Sequence, residues 1–440
     1  MKKDSQVLGP IEVKRIAQGG DGVAHLPDGR VLFVEEAFPG DLLDVEIKRS
    51  KKSWARGKVK KILKPSKARV TPECDAYRRG CGGCQFWGVA RKDELRWKVE
   101  AANDAIQRIS KIENLPEPEV VFGKDRYYRS KITLHQVKYE EEEEVRLGFF
   151  KTGSKKLVPL QRCLVAGLEI NEALEEFGAV LSYLGNGEVV METAGDGKVV
   201  ITFRQGPRGV VMPATLNEIS RWLEQGQVVA GLEIFDGKGK HFVLGDTTIS
   251  AAETFAGQPV EALRHRSDLF RQANQEINRR LVDALLEELP SRDQLQVLEL
   301  FSGMGNFTFP IAETGASVLA AEVSADAVDV ARQIVALKES KATLDVQQVD
   351  LFEALEVESL LLNHFEVLVL DPPRDGAFEV ARQMADHQGC EKILYVSCDP
   401  ACLARDLRAL SEGGWKVQKI TFFDMFPRTT HLETFVVLER

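Results

Sequence analysis

The rhythm of apolar and polar positions changes twice along the chain. Over residues 11–70 the apolar runs are brief. Ile11–Lys14 alternates, the cluster Gln18-Gly19-Gly20-Asp21-Gly22 makes a turn, and Val31–Val34, Asp44–Ile47 and Gly57–Val59 follow between Gly, Pro and Asp punctuation. Such short, turn-separated runs predict a small OB-like β-barrel. From Arg91 to Lys111 the apolar residues Leu95, Val99, Ala102, Ile106 and Ile109 recur in steps of four and three, which marks one helical face. This helix is expected to pack beneath the cysteine-containing loop that precedes it. Residues 120–260 carry strand-like runs at Lys131–Val137, Val145–Phe150, Glu188–Thr193, Lys198–Phe203 and Glu233–Phe235. No strand–helix alternation accompanies them, so a central antiparallel sheet is predicted, with the five glutamates 140–144 as a solvated hairpin tip.

From about residue 267 strands and helices alternate. Strands are predicted at Gln296–Phe301, Ser317–Glu322, Asp345–Val349, Glu366–Leu370 and Lys392–Ser397, with helices after Gly305, Ala325, Gly376 and Pro400. Trp415–Thr421 and Thr434–Leu438 close the chain without an intervening helix. The expected class is α/β, with a seven-stranded Rossmann-like domain ending in an antiparallel edge. The predicted domains are 1–70, 71–265 and 266–440, in keeping with about 150 residues per domain.

Charge adds what the apolar pattern does not show. The chain holds 58 Lys and Arg against 67 Asp and Glu, a net of −9, which by itself disfavours a polyanionic partner. The distribution reverses that reading. Residues 1–112 carry a net of +9 and residues 113–440 a net of −18. Between Lys48 and Arg69, 11 of 22 positions are basic and Trp54 lies among them, the pairing of backbone-tracking charge and aromatic platform that suits RNA. No apolar stretch approaches 18 residues, and residues 1–20 have no hydrophobic secretory core, so a cytoplasmic protein without a membrane partner is expected.

The seven cysteines fall into groups of four and three. Cys74, Cys81 and Cys84 sit in a glycine-rich loop, and Cys163 is the only other cysteine before residue 390. Four thiolates suit either zinc or a [4Fe–4S] cluster, and the single CxxC pair favours iron–sulfur. Downstream, the strand Val297–Phe301 runs into Ser302-Gly303-Met304-Gly305-Asn306. Its Gly-x-Gly turn lets the backbone approach a nucleoside, yet a third glycine for a pyrophosphate is missing, which points to S-adenosylmethionine. Glu322 ends the next strand, where a carboxylate can hold ribose hydroxyls, and Asp350 ends the third, within reach of an adenine edge. Two further strand ends carry Asp371-Pro372-Pro373-Arg374 and Ser397-Cys398-Asp399-Pro400. Cys398 is expected to gain thiolate character from the following helix N-terminus, and Glu433 pairs with it as base to nucleophile. Cys390 and Cys402 read as ordinary core cysteines.

Phe270–Asn274, Leu300–Thr308, Asp371–Arg374, Ser397–Pro400 and His431–Glu433, in that order, resemble the RNA uracil-5-methyltransferase family. The basic barrel, similar to a TRAM domain, and the four cysteines resemble its ribosomal-RNA branch. The resemblance implies that S-adenosylmethionine contacts Gln272, Phe301, Asn306, Glu322, Asp350 and Asp371. It makes Cys398 the nucleophile and Glu433 the base, and gives a [4Fe–4S] cluster the ligands Cys74, Cys81, Cys84 and Cys163. RNA is the implied partner, ribosomal in preference to transfer RNA, and a monomer is expected. Three positions depart from the family pattern: Ser302 stands where cysteine is frequent, and Asp375 and Asp399 stand where Ala and Asn are usual. The first two cysteines are also one residue further apart than is common. The alternatives are a transfer-RNA uracil-5-methyltransferase, an amino-group methyltransferase using the acidic residue before the Pro-Pro pair, and a non-catalytic RNA-binding factor.

Overall fold

The computed structural model describes residues 7–139, 144–207, 209–249, 269–337 and 343–440. Glu140–Glu143 of the expected hairpin tip and the predicted domain boundary at 265/266 lie outside the described residues. Three sheets follow one another along the chain.

The first sheet contains β1 (Val7–Glu12), β2 (Arg15–Ile16), β3 (Gly22–His25), β4 (Val31–Glu35), β5 (Leu42–Ser50) and β6 (Trp54–Lys64), in the order β1-β5-β6-β4-β3-β2. Its inward residues, among them Val13, Leu32, Val34, Leu43 and Val45, form a core of their own. The order leaves β1 and β2 at opposite ends, so the expected barrel is open. The chain between them bonds elsewhere: Val13 N–H donates to Asp41 and Lys14 N–H to Val23.

Helices α1 (Asp75–Arg78) and α2 (Arg91–Ser110) and the short strand β7 (Glu119–Val121) come next. The second sheet holds β8 (Lys131–Tyr139), β9 (Glu144–Phe150), β10 (Leu157–Pro159), β11 (Gly187–Gly195), β12 (Lys198–Gln205), β13 (Val229–Phe235) and β14 (His241–Gly245). Its order is β10-β9-β8-β11-β12-β13-β14. The expectation of a wholly antiparallel sheet is corrected at one place, because β12 and β13 run parallel. Parallel neighbours need a crossover, and α4 (Pro213–Gln225) supplies it. The same helix and α3 (Leu168–Phe177) contribute Ile219, Ile170, Leu174 and Phe177 to the apolar core on this sheet.

The third sheet contains β15 (Gln296–Leu300), β16 (Ser317–Glu322), β17 (Leu344–Gln348), β18 (Val367–Leu370), β19 (Lys392–Ser397), β20 (Lys416–Phe423) and β21 (Glu433–Glu439), the seven predicted strands. An eighth, β7, adds parallel to β20, and the order is β17-β16-β15-β18-β19-β21-β20-β7. Successive residues of one strand point to opposite faces. Leu298, Leu300, Leu368 and Leu370 therefore join one core, and Val297, Val367 and Val369 the other. Both faces are covered, by α5 (Gln275–Glu287), α6 (Thr308–Glu313), α7 (Ala325–Leu337), α8 (Ala354–Leu361), α9 (Phe378–Asp386) and α10 (Pro400–Glu412). Helix α2 joins them: Ala102 and Ile106 enter the same core as Leu403 and Leu407 of α10. Its first turns meet the cysteine loop, where Trp97 packs with Phe86 and Val89, and Trp97 also stacks on Phe38 between β4 and β5.

Candidate active site

Strand order reverses between β15 and β18, and ligands of such sheets bind beyond the carboxyl ends at that point. Leu300 pairs with Leu370, so Phe301 and Asp371 leave the sheet side by side. On the other side of β18, Ser397 of β19 pairs with Thr434 of β21. One step further along the same register, Cys398 stands across from Glu433. The predicted nucleophile and base, 35 residues apart in sequence, are thus neighbours because β21 inserts antiparallel beside β19.

Cys398 is half-buried and lines a cavity of about 320 Å³, together with Arg374, Lys98, Asp399, His431 and Gln18. Burial pushes its thiol up to about 12, and the carboxylates of Glu433, Asp371 and Asp399 push in the same direction against Arg374. This corrects the expected thiolate. Asp399, the N-cap of α10, accepts from Ala401 N–H and Cys402 N–H, both at 2.9 Å, so a carboxylate already occupies the helix N-terminus that was to have stabilised a sulfur anion. Burial raises Glu433 to about 8, with Asp371 adding to the effect and Arg374 and Lys98 opposing it. Burial alone raises Asp371 to about 7. Desolvation also depresses His431 to about 4, which keeps its imidazole neutral at the cavity wall.

The predicted cofactor residues gather at the same edge. Phe301 adopts φ +64°, a left-handed conformation uncommon for a side chain of this size, and packs edge-on against Phe352. Gly305 has φ +102°, and a Cβ there would lie 2.3 Å from the Phe309 ring, so only glycine fits the turn. Glu322 accepts from Gly303 N–H at 3.0 Å and Ser324 N–H at 2.8 Å, one bond to each oxygen. A carboxylate oxygen has a second lone pair, which leaves both free to accept hydroxyls. Asn306 and Asn278 exchange side-chain amide hydrogen bonds of 2.8 and 3.1 Å. Asp350 accepts from Phe352 N–H at 3.0 Å and so fixes the loop carrying that ring. Gln272 is buried, with its carboxamide oxygen lacking any hydrogen-bond partner among the described residues. A buried acceptor left unpaired costs about 1–3 kcal/mol, which a donor on a bound molecule would recover.

Cys74, Cys81, Cys84 and Cys163 line one small void of about 50 Å³ between the glycine-rich loop and the second sheet. Among the described residues no group of three or more His, Cys, Asp or Glu side chains is set to hold a single metal ion. Burial raises the Cys81 thiol to about 11 and Cys84 to about 12, and the neighbouring sulfurs contribute to both shifts. The loop is tied to the catalytic strand. The Arg428 carbonyl accepts from Gln85 N–H and Phe86 N–H at 2.9 and 3.1 Å, and its guanidinium lies over Trp87 and donates to Asp125 at 2.5 Å.

The family profile described as tRNA (Uracil-5-)-methyltransferase matches residues 234–440, and that of the TRAM domain matches residues 10–60. Across nearly the whole chain the similarity extends to curated proteins named 23S rRNA (uracil(1939)-C(5))-methyltransferase RlmD. The Shewanella sp. (strain ANA-3) protein is 30% identical over 96% of this chain and 93% of its own length. That of Chromohalobacter salexigens is 31% identical over 100% of this chain and 91% of its own. This chain belongs to the RNA uracil-5-methyltransferase family. A crystal structure of the Pyrococcus abyssi tRNA (uracil-54, C5)-methyltransferase with S-adenosyl-L-homocysteine shares the fold, with a TM-score of 0.72, 21% identity and coverage of 98% and 99% of the two chains.

As a uracil-5-methyltransferase that uses S-adenosylmethionine, the enzyme has two cavity residues that sequence reasoning missed. Lys98 lies on the apolar face of α2, three residues after Leu95 and four before Ala102. A lysine on a buried face was the available signal. It donates to Asp424 at 2.5 Å and to the Phe426 carbonyl at 3.2 Å, and burial pushes its ammonium down. Gln18, in a turn of the first sheet, had no such signal. No helix among the described residues is long and apolar enough to cross a membrane.

The basic stretch of the first sheet is exposed along the outer half of β6, where Lys60, Lys61 and Lys64 face solvent. Trp54 packs edge-on against Phe33 and beneath Arg49. Releasing counterions from RNA phosphates makes affinity fall with salt, by about 0.7 log units per log unit for each contact to a single strand. Replacing Lys60, Lys61 and Lys64 by Gln is expected to lower the slope of log affinity against log salt by about 2. Filter binding between 50 and 300 mM salt, roughly the range over which such slopes are resolved, measures this. An unchanged slope would remove β6 from the RNA path.

Proposed function

We propose that this enzyme methylates C5 of one uridine in 23S ribosomal RNA through a covalent adduct between Cys398 and uracil C6. The observation that carries the mechanism is the register of β19 and β21, which pairs Ser397 with Thr434 and so brings Cys398, on the cavity wall, next to buried Glu433. The ribosomal substrate is supported by the names of the curated relatives, which match over nearly the full length. When bound, S-adenosylmethionine supplies a methyl group on a sulfonium, with Gln272, Phe301, Asn306, Glu322, Asp350 and Asp371 as its contacts.

C5 of uracil is too poor a nucleophile to take that methyl group unaided. The Cys398 thiol gives its proton to solvent in the cavity, Sγ bonds to C6 and the C5–C6 π pair moves into an enolate. C5 then takes the methyl group and the sulfonium leaves as a neutral thioether. Glu433 accepts the C5 proton, the freed pair restores the C5–C6 double bond, and the Cys398 sulfur departs. A base in a stacked helix cannot reach Sγ, so the uridine enters flipped or from a loop. The first sheet and its basic strand would hold flanking RNA, with residues 1–70, 71–265 and 266–440 as RNA-binding, cysteine-loop and catalytic parts. The reading is of a monomer that acts on ribosomal RNA in the cytoplasm. Mapping 5-methyluridine in 23S ribosomal RNA from a deletion strain tests the substrate. Loss of one site is expected, and loss confined to transfer RNA would overturn the ribosomal reading.

Cys74, Cys81, Cys84 and Cys163 fit a [4Fe–4S] cluster by donor chemistry and by sharing one void. Methyl transfer here is redox-neutral, and the contacts of Arg428 to Gln85, Phe86 and Trp87 suggest that the cluster would hold the loop that positions His431–Glu433. Protein purified without oxygen is expected to be brown, with about four iron and four sulfide per chain. Colourless, iron-free protein of full activity would overturn the assignment.

A further inference from the structure

The turn between β2 and β3 forms one wall of the cavity that holds Cys398, through Ile16, Ala17, Gln18 and Gly19. It is fitted closely against the catalytic loop: Gly20 has φ +86°, and a Cβ there would come within 2.5 Å of the Thr430 methyl group. Gln18 Nε2 donates to Asp399 Oδ2 at 3.2 Å, while Oδ1 of the same carboxylate takes Ala401 N–H and Cys402 N–H. An ionised carboxylate only accepts, so the Gln18 amide is held with its nitrogen towards Asp399 and cannot turn over. The amide retains one N–H and the carbonyl oxygen, an adjacent donor and acceptor in fixed order on the wall of the cavity that Cys398 also lines.

Uracil and cytosine differ in that order. Uracil offers an N3–H donor between two carbonyl acceptors. Cytosine has an acceptor at N3 and an amino donor at C4. We propose that Gln18 is a specificity-determining residue that accepts from N3–H of the flipped uracil, donates to an adjacent carbonyl, and thereby rejects cytosine. With cytosine, N3 and the Gln18 oxygen would face one another as two acceptors, and a site built to pair a donor discriminates strongly against a base that lacks it. Asp399 acts as a positioning residue by fixing the amide. The inference deepens the uracil-5 reading of the cavity and rests on it.

The test uses the full-length enzyme and unmethylated 23S ribosomal RNA transcripts with either uridine or cytidine at the mapped position. Methyl transfer to each is compared for wild type, Gln18→Leu and Asp399→Ala. In Gln18→Leu the kcat/KM on uridine is expected to fall about ten- to hundred-fold and the uridine-to-cytidine preference to fall by a similar factor. S-adenosylmethionine affinity should stay within about twofold, since the amide is not among its proposed contacts. In Asp399→Ala the Gln18 amide loses its anchor and can present either edge to the base. The uridine-to-cytidine preference should then fall about tenfold, which loss of the α10 cap alone would not cause, because it lowers both substrates alike. A uridine-to-cytidine preference in Gln18→Leu equal to that of wild type would overturn the inference, whatever the loss of rate, because a residue that only seats the first sheet lowers both substrates alike. Wild-type enzyme that methylates no uridine at C5 would instead overturn the underlying reading of the cavity.

Discussion

Cys398→Ala is expected to lose methyl transfer to RNA by more than about four orders of magnitude, while RNA and S-adenosylmethionine binding survive. The size follows from what the sulfur supplies. Without addition at C6 there is no enolate, and C5 remains a weak nucleophile however well the methyl donor is placed. Alanine removes the thiol from a half-buried strand end and leaves the α10 cap intact, because Asp399 and not Cys398 holds that helix. Loss of activity therefore reports chemistry and not unfolding. Transfer of labelled methyl groups, with calorimetric S-adenosylmethionine binding as the control for fold, measures it. Retained activity would indicate an amino-group methyltransferase, in which the carboxylate of Asp371 beside Pro372 and Pro373 would serve without a cysteine.

The five parallel strands β15 to β19 of the catalytic sheet were legible because a buried parallel strand is a short run between turns and each one here is followed by a helix. Ligands of such sheets bind beyond the strand ends, so Glu322, Asp371 and Cys398 could be proposed from position alone. What escaped the sequence depends on contacts between distant segments. Strand β7 contributes three residues, too few for a periodic signal, and gains its place only by pairing with β20. The parallel step from β12 to β13 turns on the crossover helix α4, whose pattern was submerged among strands. The state of Cys398 was misjudged for a related reason. A helix N-terminus is visible in sequence, but the desolvation and the carboxylates that outweigh it come from β18, β21 and the cap itself. Gln18 shows the same limit, since nothing in a glycine-rich turn says that it closes a cavity beside residue 398.

Glu433→Gln is expected to trap the enzyme on its RNA. In the proposed sequence the base acts after methyl transfer, when the C5 proton must leave before the sulfur can. Glutamine is close in size and can keep the strand β21 intact, yet its amide cannot accept a proton at neutral pH. Addition and methyl transfer proceed, elimination stalls, and a methylated protein–RNA adduct should build up and survive denaturing electrophoresis with a labelled methyl group in it. Release should slow by at least about a hundredfold, the contribution usual for a placed general base. The pH dependence supplies an independent sign. Glu433 must be deprotonated to act, and burial holds it up to about 8. Turnover in the wild type should therefore rise with pH through about 8, and adduct release in Glu433→Gln should lose that rising limb. Because the Cys398 thiol is held higher still, at about 12, its deprotonation belongs to the addition step and continues to respond to pH above the Glu433 transition. Normal turnover in Glu433→Gln with no adduct would assign proton removal to another group, and Asp371, raised by burial to about 7, is the next carboxylate at that edge.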